Sequence, residues 1–118
     1  MNVLVYAYLG DAIYELYIRK FLISKNIPKV DLLQKESIKY VSAKAQASFL
    51  KKMIDNNFLS DEELDIVKRA RNHKSHTSKS TDIVTYKHST GLEALIGYLY
   101  LENSKNRIDE IMNYIMEV

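Results

Sequence analysis

The sequence predicts an all-α fold, a helical bundle forming a single domain over residues 1–118. Three observations predict it. With 3 glycines and 1 proline, the chain holds too few turn formers for a many-stranded sandwich or barrel. A hydrophobic share of 47% beside 27% charged residues supports one buried core and excludes a disordered chain. Apolar residues recur at helical spacing along segments that open on Asp, Ser or Thr, residues that cap helices.

Helical spacing runs from about Leu4 to Phe21, with Leu9, Ile13, Leu16 and Tyr17 on one stripe, and Pro28 ends the segment. Its apolar start carries no basic leader and meets Asp11 and Glu15 well before membrane-spanning length. It therefore reads as a core helix of a cytoplasmic protein with no membrane partner. Asp31 can cap a helix through Tyr40, and Ser42 another to about Asn56, with Ala43, Ala47, Leu50 and Ile54 on one face. Ser60-Asp61-Glu62-Glu63 is a capping-box pattern for a helix reaching about Arg71. Residues 68–88 lack strong apolar periodicity and read as a helix end followed by a loop. Ser89 or Thr90 can then cap a helix to Leu101, and Ser104 a last one to Met116.

The net charge of +2 hides a strong asymmetry. Residues 68–88 hold six basic side chains against one acid, and all three histidines, whereas residues 31–67 and 89–118 are net acidic. This segment is either a solvated basic loop or a phosphate-binding surface, since Arg, Lys, Asn, Ser and Thr are the side chains that contact phosphate oxygens. The absence of cysteine excludes disulfide scaffolds, thiolate metal sites and Cys nucleophiles, and fits a reducing compartment. No glycine-rich phosphate loop or histidine cluster supports a small-molecule phosphatase or hydrolase.

In two stretches carboxylates stand where charge is expensive. Asp11 and Glu15 are the only charged residues from Met1 to Ile18, and Glu93 is the only one from Ser89 to Leu101. Both stretches are apolar on most faces and should be the most buried helices of the bundle. An ionised carboxylate there needs a cation or several donors beside it. Carboxylates from two central helices meeting at one point would make a hard oxygen site for Mg²⁺, suited to phosphodiester hydrolysis. Structural alternatives stand beside this one. Glu93 could close a capping box with Thr90, Glu15 could pair with Arg19 on the surface, and Asp11 could cap a helix restart after Gly10.

Tyr8-Leu9-Gly10-Asp11-Ala12-Ile13-Tyr14-Glu15 resembles the signature helix of ribonuclease III domains, and Leu92 to Leu101 resembles their second catalytic helix. Three further segments resemble the Mini-ribonuclease III branch: Tyr40 to Ala47, Arg69 to Lys74, and Thr81-Asp82 with Tyr86 to Thr90. The likeness covers nearly the whole chain. It implies a dimeric, all-helical endonuclease domain that cleaves double-stranded RNA with Mg²⁺, works without a separate double-stranded-RNA-binding domain, and matures large-subunit (23S) ribosomal RNA. A ribosomal protein is a candidate further partner.

By this resemblance Asp11 and Glu93 are the catalytic, metal-binding carboxylates, with Glu15 auxiliary. Arg69, Arg71, Asn72, Lys74, Lys79 and Lys87 would hold the RNA backbone, which proteins read through phosphates, shape and 2′-hydroxyls. Larger members carry further acids where this chain has Ala7 and Thr90, which suits the Mini branch and leaves one-metal and two-metal sites both open. The helices bearing Ile38, Val41 and Phe49 are the first place to look for a dimer face. Two rival readings remain, a catalytically silent fold that binds structured RNA, and a helical protein-interaction domain with a structural basic loop.

Overall fold

A computed structural model describes residues 2–73 and 82–117, which form six helices and no strand. These are α1 (Val3–Ser24), α2 (Val30–Val41), α3 (Ala43–Asp55), α4 (Asp61–Arg71), α5 (Ile83–Leu101) and α6 (Lys105–Met116). Helix α5 is the axis of the bundle, with α1, α3 and α4 packed around it, α2 against α1 and α6 closing the core. Leu92, Leu95 and Ile96 of α5 are wholly buried, as are Tyr14 and Ile18 of α1, so the two predicted central helices are central. None of the described helices is long and apolar enough to cross a membrane.

Glycine here serves packing rather than turns. Gly10, Gly91 and Gly97 all lie inside α1 or α5. The left-handed residues that follow helix ends are asparagines instead: Asn26 (φ 59°), Asn57 (φ 53°) and Asn103 (φ 58°). After α3, the Phe58 amide bonds the Met53 carbonyl and the Asn57 amide that of Ile54; after α5, Ser104 and Asn103 do the same to Leu99 and Tyr100. These paired bonds satisfy carbonyls that the helix ends leave free.

Local chemistry places most boundaries. The Ser42 side chain accepts from the Ala45 amide and starts α3, and Ser60 and Glu63 complete the expected capping box of α4. Glu63 is further held by Arg107 of α6, whose guanidinium donates to both carboxylate oxygens at 2.7 and 2.8 Å and to the Phe58 carbonyl at 2.6 Å.

Several expectations are corrected. Helix α5 begins at Ile83 under an Asp82 cap, not at Ser89 or Thr90. Both hydroxyls bond back to the Tyr86 carbonyl from inside the helix, so residues 83–88 are helical and the capping-box reading of Glu93 falls. Lys29, not Asp31, precedes α2, and Ser104 makes no side-chain cap bond. The buried face of α3 carries Gln46, Phe49, Leu50 and Met53, turned by about one residue from the predicted stripe. In α1 the inner face follows Ala7, Gly10, Tyr14 and Ile18, and Leu16 is exposed. Of the three residues singled out for a dimer face, Phe49 is buried against Tyr40, whereas Ile38 is exposed on α2, a helix with no buried residue.

Candidate active site

The site is built where α1 crosses α5. The two backbones approach so closely that a Cβ on Gly10 would sit 1.7 Å from the Glu93 carbonyl oxygen, and one on Gly97 1.9 Å from that of Tyr6. Only glycine fits at either point. With Gly10 against the backbone of Glu93, Asp11 is carried beside the Glu93 side chain. The two carboxyl groups are hydrogen-bonded to each other, Asp11 at the exposed rim and Glu93 half-buried.

Burial pushes the Glu93 carboxyl up to about 8, and the bond to Asp11 and its negative charge push in the same direction. A donated hydrogen bond from Gln46 of α3 opposes them. Two carboxyl groups this close, one of them raised by burial and by its neighbour, gather oxygens and negative charge that a divalent cation would compensate. The donor set fits a hard cation, being all oxygen and supplied by two carboxylates. Among the described residues no group of three or more His, Asp or Glu gathers, so the protein's own contribution is this pair.

An aromatic cluster adjoins Glu93. Tyr14, three residues after Asp11, is fully buried and donates at 2.6 Å to the Tyr40 carbonyl at the end of α2. Burial and the nearby Glu93 charge both raise its hydroxyl, which stays a proton donor. Tyr40 in turn stacks on Phe49 and meets Phe21 edge-on, tying α1, α2 and α3 together.

The other predicted residues lie further out. Glu15 is half-buried one turn beyond Asp11 and pairs with Arg19 at 3.3 Å, the surface pairing its spacing allowed. Arg69, Arg71 and Asn72 lie at the C-terminal end of α4, and Arg69 reaches Asp65 only at 3.9 Å. Glu62 accepts a hydrogen bond from Tyr98 while Val67 faces Gly91, so α4 runs antiparallel to α5. That direction carries the basic end of α4 toward Lys87. Lys74 and Lys79 lie outside the described residues. Sequence reasoning missed Gln46 and Tyr14 as parts of the site. Gln46 lies four residues before Leu50 and seven before Met53, a spacing that puts a polar side chain on a buried stripe and could have flagged it.

A sequence profile of the ribonuclease III domain matches residues 4–104. The chain is 46% identical to the Mini-ribonuclease 3 of Enterococcus faecalis, covering 99% of this chain and 89% of that one. It is 44% identical to the Staphylococcus aureus enzyme of the same name, covering 100% and 89%. The chain belongs to the ribonuclease III family, in its Mini-ribonuclease III branch. A Fusobacterium nucleatum protein solved by X-ray crystallography shares the fold at a TM-score of 0.87 and 37% identity, over 99% of this chain and 93% of that one. As a ribonuclease III-family member the chain is an endoribonuclease, and the family acts on double-stranded RNA, in general with a divalent metal.

Proposed function

We propose that the Asp11 and Glu93 carboxylates hold Mg²⁺ and that this pair is the centre at which the chain hydrolyses phosphodiester bonds of double-stranded RNA, leaving 5′-phosphate and 3′-hydroxyl ends. The observation that carries this reading is the convergence of the two central-helix carboxylates, with Glu93 pushed up to about 8 by burial and by Asp11 beside it. A bound divalent cation supplies a Lewis acid that activates water and stabilises charge developing on the phosphate oxygens. The chain's own residues do the rest. Glycine contact between α1 and α5 fixes the spacing of the carboxylates, and the fully buried Tyr14 packs beside Glu93. Glu15, on the next turn, is an auxiliary acid at the rim, exchanging between Arg19 and the site.

Arg69, Arg71, Asn72 and Lys87, with Lys74 and Lys79, hold the RNA backbone. The antiparallel course of α4 and α5 supports this, because it gathers the described members at one end of the bundle. A homodimer would place two such basic segments along one duplex and one site near each strand. The natural substrate in this reading is a precursor of large-subunit (23S) ribosomal RNA, met in the cytoplasm, with a ribosomal protein as a further partner. Relatives bearing the name Mini-ribonuclease 3 over nearly the full chain support it.

Long duplex RNA incubated with the protein, with and without Mg²⁺, tests the reading. Cleavage is expected from the wild type with Mg²⁺ and not from Asp11→Asn or Glu93→Gln, each folded as the wild type. Substantial Mg²⁺-dependent cutting by Asp11→Asn overturns it, and binding without cleavage by the wild type favours a silent RNA-binding fold.

A further inference from the structure

Four polar or charged residues are counted as buried among the described ones: Gln46, Glu63, Ser89 and Thr90. Three have structural duties. Glu63 closes the α4 cap and binds Arg107, and the two hydroxyls bond the Tyr86 carbonyl within α5. Gln46 has none of this kind. It is 2% exposed on the inner face of α3, where Leu50, one turn on, packs toward Gly91 of α5. A buried primary amide costs free energy unless it is hydrogen-bonded, and no buried side-chain N or O among the described residues lacks a partner. Gln46 adjoins the Glu93 carboxyl and favours its charged form, as a donor amide does.

We propose that Gln46 is a positioning residue that fixes the Glu93 carboxylate toward Asp11 and toward the divalent cation the pair would hold, without neutralising its charge. The inference rests on the reading of Asp11 and Glu93 as the metal-holding pair. Glutamate has three side-chain torsions, and its terminal one is broad, so a half-buried Glu93 needs an external bond to choose one orientation. Gln46 offers that bond from the buried face of α3, a helix started by its Ser42 cap and packed into the core through Leu50. The choice of an amide matters. Lysine or arginine at this point would orient the carboxylate equally well but compete with the cation for its charge, whereas a neutral donor leaves the full negative charge available. One carboxylate oxygen engaged by Gln46 still leaves lone pairs on both oxygens for Asp11's side of the pocket.

Gln46→Met, an unbranched side chain of similar length without a donor, tests this in the full chain. Three measurements are made together: Mn²⁺ affinity by the electron paramagnetic resonance of free Mn²⁺, the thermal midpoint, and kcat and KM on duplex RNA. The expected result is Mn²⁺ binding weakened by roughly tenfold and kcat lowered by a similar factor, with KM and the thermal midpoint little changed. A folded Gln46→Met protein with wild-type Mn²⁺ affinity and kcat overturns the proposal. Asp11→Asn and Glu93→Gln are measured alongside. If they lose Mn²⁺ while Gln46→Met keeps it, only the role of Gln46 fails; if they too keep it, the metal-holding pair itself is wrong. Should Gln46→Met not fold, the wild-type side-chain amide of Gln46 is followed by nuclear magnetic resonance. It is expected to shift on Mg²⁺ addition and not in Glu93→Gln, and an amide indifferent to Mg²⁺ in the wild type overturns the proposal.

Discussion

Gly10 and Gly97 face each other across the crossing of α1 and α5: a Cβ on Gly10 would lie 2.9 Å from the Gly97 nitrogen, and one on Gly97 3.0 Å from the Gly10 nitrogen. Each would collide harder still with a carbonyl oxygen, that of Glu93 or of Tyr6. Because both obstacles are backbone, neither can rotate away. Gly10→Ala and Gly97→Ala are therefore expected to destabilise the fold by about 1–3 kcal/mol or more, read from denaturant midpoints. Gly10→Ala should also lower cleavage in the surviving folded fraction, since the obstacle belongs to Glu93. Unchanged midpoints would mean that the helices can part without loss.

Glu93 makes the metal-free protein sensitive to base. Its folded value is raised to about 8 from an ordinary 4.5, so the protonated form is the one the fold prefers. Its contribution is fully present below about pH 4.5 and is lost as pH rises toward 8, by up to about 1.4 kcal/mol per pH unit. Thermal midpoints of the metal-free protein should fall over that window relative to Glu93→Gln, which lacks the titration. Added Mg²⁺ should restore the wild type at pH 8 and not the variant.

The Glu63–Arg107 pair sets the acid limit. Burial alone would raise Glu63, but the bonds from Arg107 and from the Ser60 backbone outweigh it and hold the carboxyl below its usual range. Stability from this group is present above the unfolded value near 4.5 and is lost as pH falls through the lowered folded one. Arg107→Met leaves a buried carboxylate without its partner, and a loss of roughly 3 kcal/mol at pH 7 is expected. The loss should shrink on acidification, because the orphaned Glu63 then protonates. A pH-independent difference would assign the effect to packing on Phe58, which the guanidinium covers at 4.6 Å.

Arg69 is exposed and bound to Asp65 only at 3.9 Å, so Arg69→Ala should leave stability within about 0.5 kcal/mol of wild type. If it contacts phosphate, the slope of log affinity for duplex RNA against log salt should flatten by about 1. Fluorescence anisotropy at several salt concentrations checks this, and an unchanged slope moves the RNA surface away from the end of α4.

Tyr8 is 85% exposed on α1, three residues before Asp11, with Val5 and Leu16 also open on that helix. A second copy of this chain covering that face would bury all three. The wild type is expected to sediment as a dimer and Tyr8→Glu as a monomer, and equal sedimentation as dimers would place the interface elsewhere.

What could be read without the fold was whatever acts locally. Ser42 and Ser60 start α3 and α4 as expected, because a cap bond reaches only two or three residues. The same locality misled at α5: Ser89 and Thr90 have the side chains of caps, yet they bond the Tyr86 carbonyl from inside a helix that starts at Ile83. The burial phase of α3 was misjudged because Gln46 is polar, and a polar side chain joins the inner face only when a partner waits there.

Neighbours along the chain suffice to show the all-helical class, the carboxylates placed at high cost in apolar segments, and the concentration of basic charge. Tertiary structure alone decided that Asp11 and Glu93 meet and that Gln46 lies beside that pair, whereas the pairing of Glu15 with Arg19 was already open to their four-residue spacing. Residues 82 positions apart are brought together only by the depth to which α1 sinks onto α5. That depth depends on two backbones touching where neither glycine has a side chain.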